Sequence, residues 1–247
     1  MWPAKFLPKH DPDFISHLEE FRYRLIVSLV TFVAVSVISY FFSKQILDFL
    51  IEPLRRHQEV QLYFQKPYEA FLIHLQVAAL SGVVVASPVL VTQLWLFIAP
   101  GLFEHEKRVA LPLILITTLL FFSGVIFAYR VVIPWGLYFL LSFQTESLKP
   151  LLGVGPYFSF LIGMILACGV LFDFPVMLVG LVQLGILRTA QIARARRAVI
   201  VVIFIVAAVL TPSPDPISQL MLALPLLGLF EISLAVARVI EKKRPKS

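Results

Sequence analysis

Between Arg108 and Arg130 the chain runs through 21 uncharged residues, VALPLILITTLLFFSGVIFAY. A helix that long rises about 30 Å, the thickness of a bilayer's hydrocarbon core. No ordinary soluble core needs such a run, and similar ones recur along the 247 residues. Hydrophobic residues make up 59% and charged residues 15% of the chain, against roughly 45–50% and 25% in a soluble domain. The pattern predicts an all-α, multi-spanning membrane protein.

Six spans are expected, over roughly 25–43, 69–98, 109–130, 154–184, 198–210 and 217–237, in a single integral membrane domain covering 1–247. Ahead of the first, DPDFISHLEEFRYRL reads as an amphipathic helix: Asp11 can cap it, and Pro12 at its first position loses no hydrogen bond. The first apolar run starts at Leu25 with no A-x-A site beside it, so a cleavable signal peptide is not expected. Two longer connections, 44–67 and 130–150, alternate with short basic turns. Fifteen of the 21 lysines and arginines fall in the N-terminal segment, residues 103–108, residues 187–197 and the C-terminal end. The other six fall in the alternate connections. Positive charge accumulates on the cytoplasmic side, so both termini are expected there and the net charge of +6 reads as topology, not as nucleic-acid binding. The last two spans are short: residues 198–210 and 217–230 give 13 and 14 uncharged positions, each about 20 Å of helix.

A few charges resist this scheme. Asp173 has Lys149 and Arg188 as its nearest charged neighbours in sequence. A carboxylate at the centre of a membrane helix costs about 2.5–3.5 kcal/mol on insertion scales, so Asp173 has a partner, faces water or is protonated. Pro175 follows it and predicts a bend with a freed carbonyl. A functional concavity and a structural polar knot both fit. Glu20 and Glu106 sit just before the first and third spans, at an edge where cations dominate. Glu20 can pair with Arg24 at i,i+4, and acids at the start of the third span suit its dipole. Alternatively the two form a patch for a basic ligand, with arginine preferred because guanidinium meets carboxylate in a bidentate fashion.

Other chemistry is not indicated. No G-x-x-x-x-G-K-[ST] motif appears, the five histidines show no metal spacing, and the lone Cys168 permits neither an internal disulfide nor a multi-cysteine site. No enzyme activity, cofactor or metal is expected.

Five segments carry a family resemblance. HLEEFRYRL (17–25), SPVLVTQLWLFIAPGLFEHEKR (87–108), LFDFPV (171–176), LTPSPDPISQ (210–219) and LPLLGLFEI (224–232) resemble, in order, the motifs of the TatC family. TatC is the multi-spanning receptor of the twin-arginine protein translocase. The resemblance implies six transmembrane helices in a bent, cup-like bundle in the cytoplasmic (inner) membrane. It implies a receptor for the Arg-Arg signal peptide of folded precursors, driven by the proton gradient and assembled with single-span TatA/TatB-type subunits and further copies of itself. By motif position Glu20 and Glu106 take the arginines, with Arg22, Phe97 and Leu102 lining or supporting that site. Asp173 and Gln93 belong to an intramembrane polar groove, and Pro53, Pro88, Pro175 and Asp215 are structural. Asp173 stands where the family usually has glutamate, one methylene longer, and Phe21 where it usually has leucine. The alternative from a different class is a proton-coupled small-solute transporter with Asp173 as proton carrier; the absence of an internal repeat speaks against it.

Overall fold

The computed structural model describes residues 12–55, 62–98, 107–143, 151–183, 185, 187–210 and 216–243. Helix α1 (Pro12–Phe41) joins the amphipathic entry and the first apolar run into one 30-residue rod. After a corner at Phe42, α2 (Ser43–Arg55) lies in the first long connection. Strand β1 (Leu62–Tyr63) then leads to α3 (Glu69–Ile98). Helix α4 (Lys107–Phe127) continues through a π-helical turn (Ala128–Val132) into α5 (Ile133–Leu141). Strand β2 (Leu152–Gly153) precedes α6 (Val154–Phe172) and α7 (Phe174–Gln183). Helices α8 (Thr189–Arg194), α9 (Arg196–Leu210) and α10 (Pro216–Lys243) complete the chain.

Five stretches are long and apolar enough to cross a membrane: Leu18–Phe41, Glu69–Phe97, Leu111–Leu141, Val154–Gln183 and Gln219–Lys242. The expected fifth span, 198–210, is α9, whose 15 residues fall short of that length. The third apolar helix does not end near residue 130. It runs on to Leu141, although Pro134 lies within it. Proline deprives the carbonyl four residues back of its partner; here the ladder widens just before it, with the Ile133 N–H reaching Ala128 O across a π turn. The expected connection 130–150 is therefore half helix. Helix α10 has 28 residues, and its uncharged run stops at Glu231 while the helix continues.

The two outer connections are stitched together. β1 and β2 pair in parallel, Leu62 with Leu152 and Tyr63 with Gly153. β2 runs straight into α6 and β1 reaches α3 through residues 64–68, so α3 and α6 start at the same end of the molecule, here called the cap end. Helix α2 completes the cap. Pro53 lies inside it and is buried. Pro53 has no N–H for the Phe49 carbonyl, and the Tyr129 hydroxyl donates to that carbonyl instead, at 2.7 Å. Tyr157 donates to Leu50 O at 2.9 Å. The same device serves α3: Pro88 frees the Val84 carbonyl, and the buried Ser87 hydroxyl donates to it at 2.8 Å.

Helix α6 is the central rod. Phe158, Leu161, Met164 and Cys168 are fully buried against Leu54, Ile133, Leu222 and Phe230 from α2, α5 and α10. Small residues set the helix spacings, as expected where lipid supplies no hydrophobic drive to pack. At Gly169 a Cβ would stand 2.8 Å from the Phe121 ring of α4, and at Gly124 it would meet the backbone of Cys168. Helix α1 packs chiefly on α3, where Gly82 admits the Ser36 side chain into the space of a Cβ. Most of α1 outside that seam is exposed apolar surface, including Leu25, Leu29, Val33 and Val37. That suits a helix facing lipid.

Candidate functional site

The α1–α3 seam fixes which predicted residues meet. Ser36 lies against Gly82, and the rings of Phe21 and Phe97 lie 5.3 Å apart between centroids, at 58°. From Phe21 to Ser36 and from Gly82 to Phe97 is the same number of residues, so one antiparallel register holds along the whole seam. It sets the first turns after residue 18 against the last turns of α3, at the end opposite the cap.

Glu20 and Phe97 are both half-buried there, and Arg22 is exposed. Glu20 holds a guanidinium. Arg24 Nε donates to Glu20 Oε1 at 3.0 Å, and Nη2 donates to the same oxygen. Glu20 lies one turn N-terminal to Arg24, the favoured order for an i,i+4 pair. Leu102 and Glu106 lie outside the described residues. So does Asp215. By sequence Glu106 is the residue before α4, and α4 packs on α3. One pin between them is Trp95, whose Nε1 donates to the buried Thr117 hydroxyl at 3.1 Å, which in turn donates to Leu113 O.

The second predicted group lies deeper. Asp173 caps α6 at the break before α7. Its N–H bonds to Val170 O at 3.1 Å, and its carbonyl accepts from Val176 N and Met177 N at 3.0 and 3.2 Å. Pro175 is buried two residues on and cannot continue the α6 ladder, which accounts for the break. Asp173 Oδ1 is buried and has no hydrogen-bond partner among the described residues. Gln93 Oε1 and Ser36 Oγ share that condition. Such orphans are rare, because leaving a buried polar atom unmade costs about 1–3 kcal/mol. No hydrogen bond joins Gln93 to Asp173. Trp95 of α3 lies 3.6 Å from the Cβ position of Gly180 of α7. Asp173 precedes Gly180 by about two turns, whereas Gln93 lies next to Trp95's level. The two polar groups are thus stacked in depth along parallel helices, not paired.

Reasoning from sequence missed several polar links. Besides Tyr129, Tyr157 and Trp95, His74 Nδ1 lies 2.9 Å from Ser43 Oγ, joining α3 to α2. Gln219 Nε2 donates to Phe204 O at 3.0 Å, joining α10 to α9. Arg196 Nε donates to Glu231 Oε1 at 2.7 Å. Thr189 donates through its N–H and its hydroxyl to Glu241. The available signal was a hydrogen-bonding side chain inside an apolar run, which marks such a residue without naming its partner. Among the described residues no group of three or more His, Cys, Asp or Glu could hold a metal ion.

Comparison with known proteins gives one answer throughout. The profile of the family described as Sec-independent protein translocase protein (TatC) matches residues 16–225. A protein of that name from Magnetococcus marinus is 39% identical over 232 residues, covering 93% of this chain and 85% of that protein. The corresponding protein of Aquifex aeolicus is 38% identical, over 92% of this chain and 95% of its own. Among solved structures, a crystal structure described as the twin-arginine translocase receptor TatC superposes with a TM-score of 0.80 at 38% identity. It covers 91% of this chain and 99% of that one.

Proposed function

This chain belongs to the TatC family of Sec-independent protein translocases, and we propose that it is the subunit that reads the paired arginines of a precursor's signal peptide. It is a multi-pass membrane protein; we place both termini on the cytoplasmic side of the inner membrane, with α9 as the sixth span. Glu20 and Glu106 receive the two guanidinium groups. Phe97 and Leu102 line the site, Arg22 supports it, and Asp173 with Gln93 forms the polar path deeper in the bundle. Single-span TatA/TatB-type subunits and further copies of the chain complete the export complex, which draws on the proton gradient. The family membership removes the ground for the solute-carrier alternative.

The observation that carries this reading is the Glu20–Arg24 contact beside Phe97. At the end of the bundle where positive charge collects, a half-buried carboxylate already accepts a guanidinium at 3.0 Å. A ligand arginine presents the same group. Lysine offers a point charge without the planar fork, so Arg-Arg is preferred over Lys-Lys.

The test is binding of an Arg-Arg and a Lys-Lys signal peptide to the purified protein and to Glu20→Ala/Glu106→Ala. Each lost charge-assisted contact costs about 1.5–3 kcal/mol. The wild type should prefer Arg-Arg by tenfold or more, a preference the double variant loses. Equal binding of both peptides, unchanged by the substitutions, would reject the site.

A further inference from the structure

The groove between α7, α8 and α9 lies outside the site that reads arginines. Met177 and Leu181 of α7, Leu187 before α8, Ile192 of α8, and Ala195 and Val199 at α9 are among the residues that enclose about 380 Å³. Arginines flank its lining in sequence. Arg188 and Arg194, the sequence neighbours of Leu187 and Ala195, are exposed, as is Arg197 at the start of α9. None of the three is in an ion pair among the described residues. The acids of the adjoining α10 are already engaged, Glu231 by Arg196 and Glu241 by Thr189. Net positive charge is therefore left around an apolar trough.

We propose that this groove binds an anionic phospholipid, with one acyl chain between α7 and α9 and the headgroup phosphate at Arg188 and Arg194. Charge complementarity selects an amphiphile that is apolar along its length and anionic at one end. Basic pockets between membrane helices are a recurring solution for anionic headgroups, and the occupant is always present in the surrounding bilayer. The site requires no signal peptide, so it stands or falls apart from the receptor reading.

The experiment uses the full chain in nanodiscs of equal phosphatidylglycerol and phosphatidylcholine with identical acyl chains, released for native mass spectrometry. Wild type should retain phosphatidylglycerol over phosphatidylcholine by about thirtyfold, since each of the two arginines near the headgroup contributes about 1 kcal/mol. Arg188→Gln/Arg194→Gln should abolish the preference, and Arg188→Lys/Arg194→Lys should keep most of it. Ala195→Phe, which fills the groove and leaves the arginines intact, should also lose the bound lipid. Excess glycerol phosphate should not displace it. Equal retention of the two lipids by wild type overturns the proposal. So does displacement by glycerol phosphate, which would mark a site for free phosphate. Loss in the glutamine variant with Ala195→Phe unchanged overturns the groove and leaves only surface charge.

Discussion

Arg24 already occupies Glu20 Oε1, so under the proposed function it competes with a ligand guanidinium for that oxygen. The pair is mostly shielded, with 28% of the Glu20 and 19% of the Arg24 side chain exposed. A contact of this kind is worth at most about 1 kcal/mol net. Arg24→Gln should therefore tighten Arg-Arg peptide binding by up to about fivefold, measured by titration of labelled peptide. Glu20→Gln should weaken it. Weaker binding in Arg24→Gln would mean that Arg24 supports the ligand instead of competing with it. The Glu20–Arg24 pair was legible from its i,i+4 spacing alone. The approach of Phe21 to Phe97 was not. It depends on the register between two helices far apart in sequence, and that register is set where Gly82 makes room for Ser36. Ser36 Oγ has no partner among the described residues, so Ser36→Ala should cost little. Gly82→Val drives a branched side chain into α1 and should lower the thermal midpoint in detergent. It should also weaken peptide binding, because Glu20 and Phe97 lose their common register. A midpoint and an affinity both unchanged in Gly82→Val would show that the seam does not position the site.

The prolines show how single elements are held together and why the sequence left part of the fold unread. Pro53, Pro88 and Pro175 were recognisable as structural positions, and the bend at Pro175 was expected, but the donors that answer Pro53 and Pro88, Tyr129 and Ser87, were not. The third span was expected to end near residue 130, four residues before Pro134, and in water a proline there would favour a helix end. In an apolar slab the chain gains more by keeping its remaining hydrogen bonds and absorbing the proline in a π turn. The clearest test is at the cap. Tyr129→Phe leaves the Phe49 carbonyl without its hydroxyl donor and should cost about 1–3 kcal/mol. In a Pro53→Ala background residue 53 regains an N–H that can bond to Phe49 O, so the same substitution should cost far less. Unfolding of the four proteins of this cycle in detergent gives the coupling. Strict additivity would show that Tyr129 does not stand in for the amide that Pro53 lacks.

Across the whole molecule the apolar thickness is uneven. Helix α3, with 30 residues, is about 45 Å long, and α9, with 15, is about 22 Å. Helix α10 is long, and its apolar run is interrupted at Glu231. Glu231 lies 15 residues after Pro216, again about 22 Å along, and there it meets Arg196 at the first turn of α9. Because Arg196 is held by Glu231, it does not extend α9 by reaching freely toward water, as an unpaired arginine at a helix end does. The ion pair marks the level at which α9 stops being apolar, some 8 Å short of a hydrocarbon core of about 30 Å, while α10 carries the uncharged residues 232–237 beyond it. Local thinning of the bilayer is one way such a mismatch is met. Lipid density around the protein in nanodiscs, imaged by cryo-EM, should be thinner by several ångströms beside α9 and α10 than beside α1 and α4. Glu231→Gln releases Arg196, lets it reach outward and should reduce that difference. A belt of even thickness in the wild type would mean that α9 borrows length from the residues flanking it.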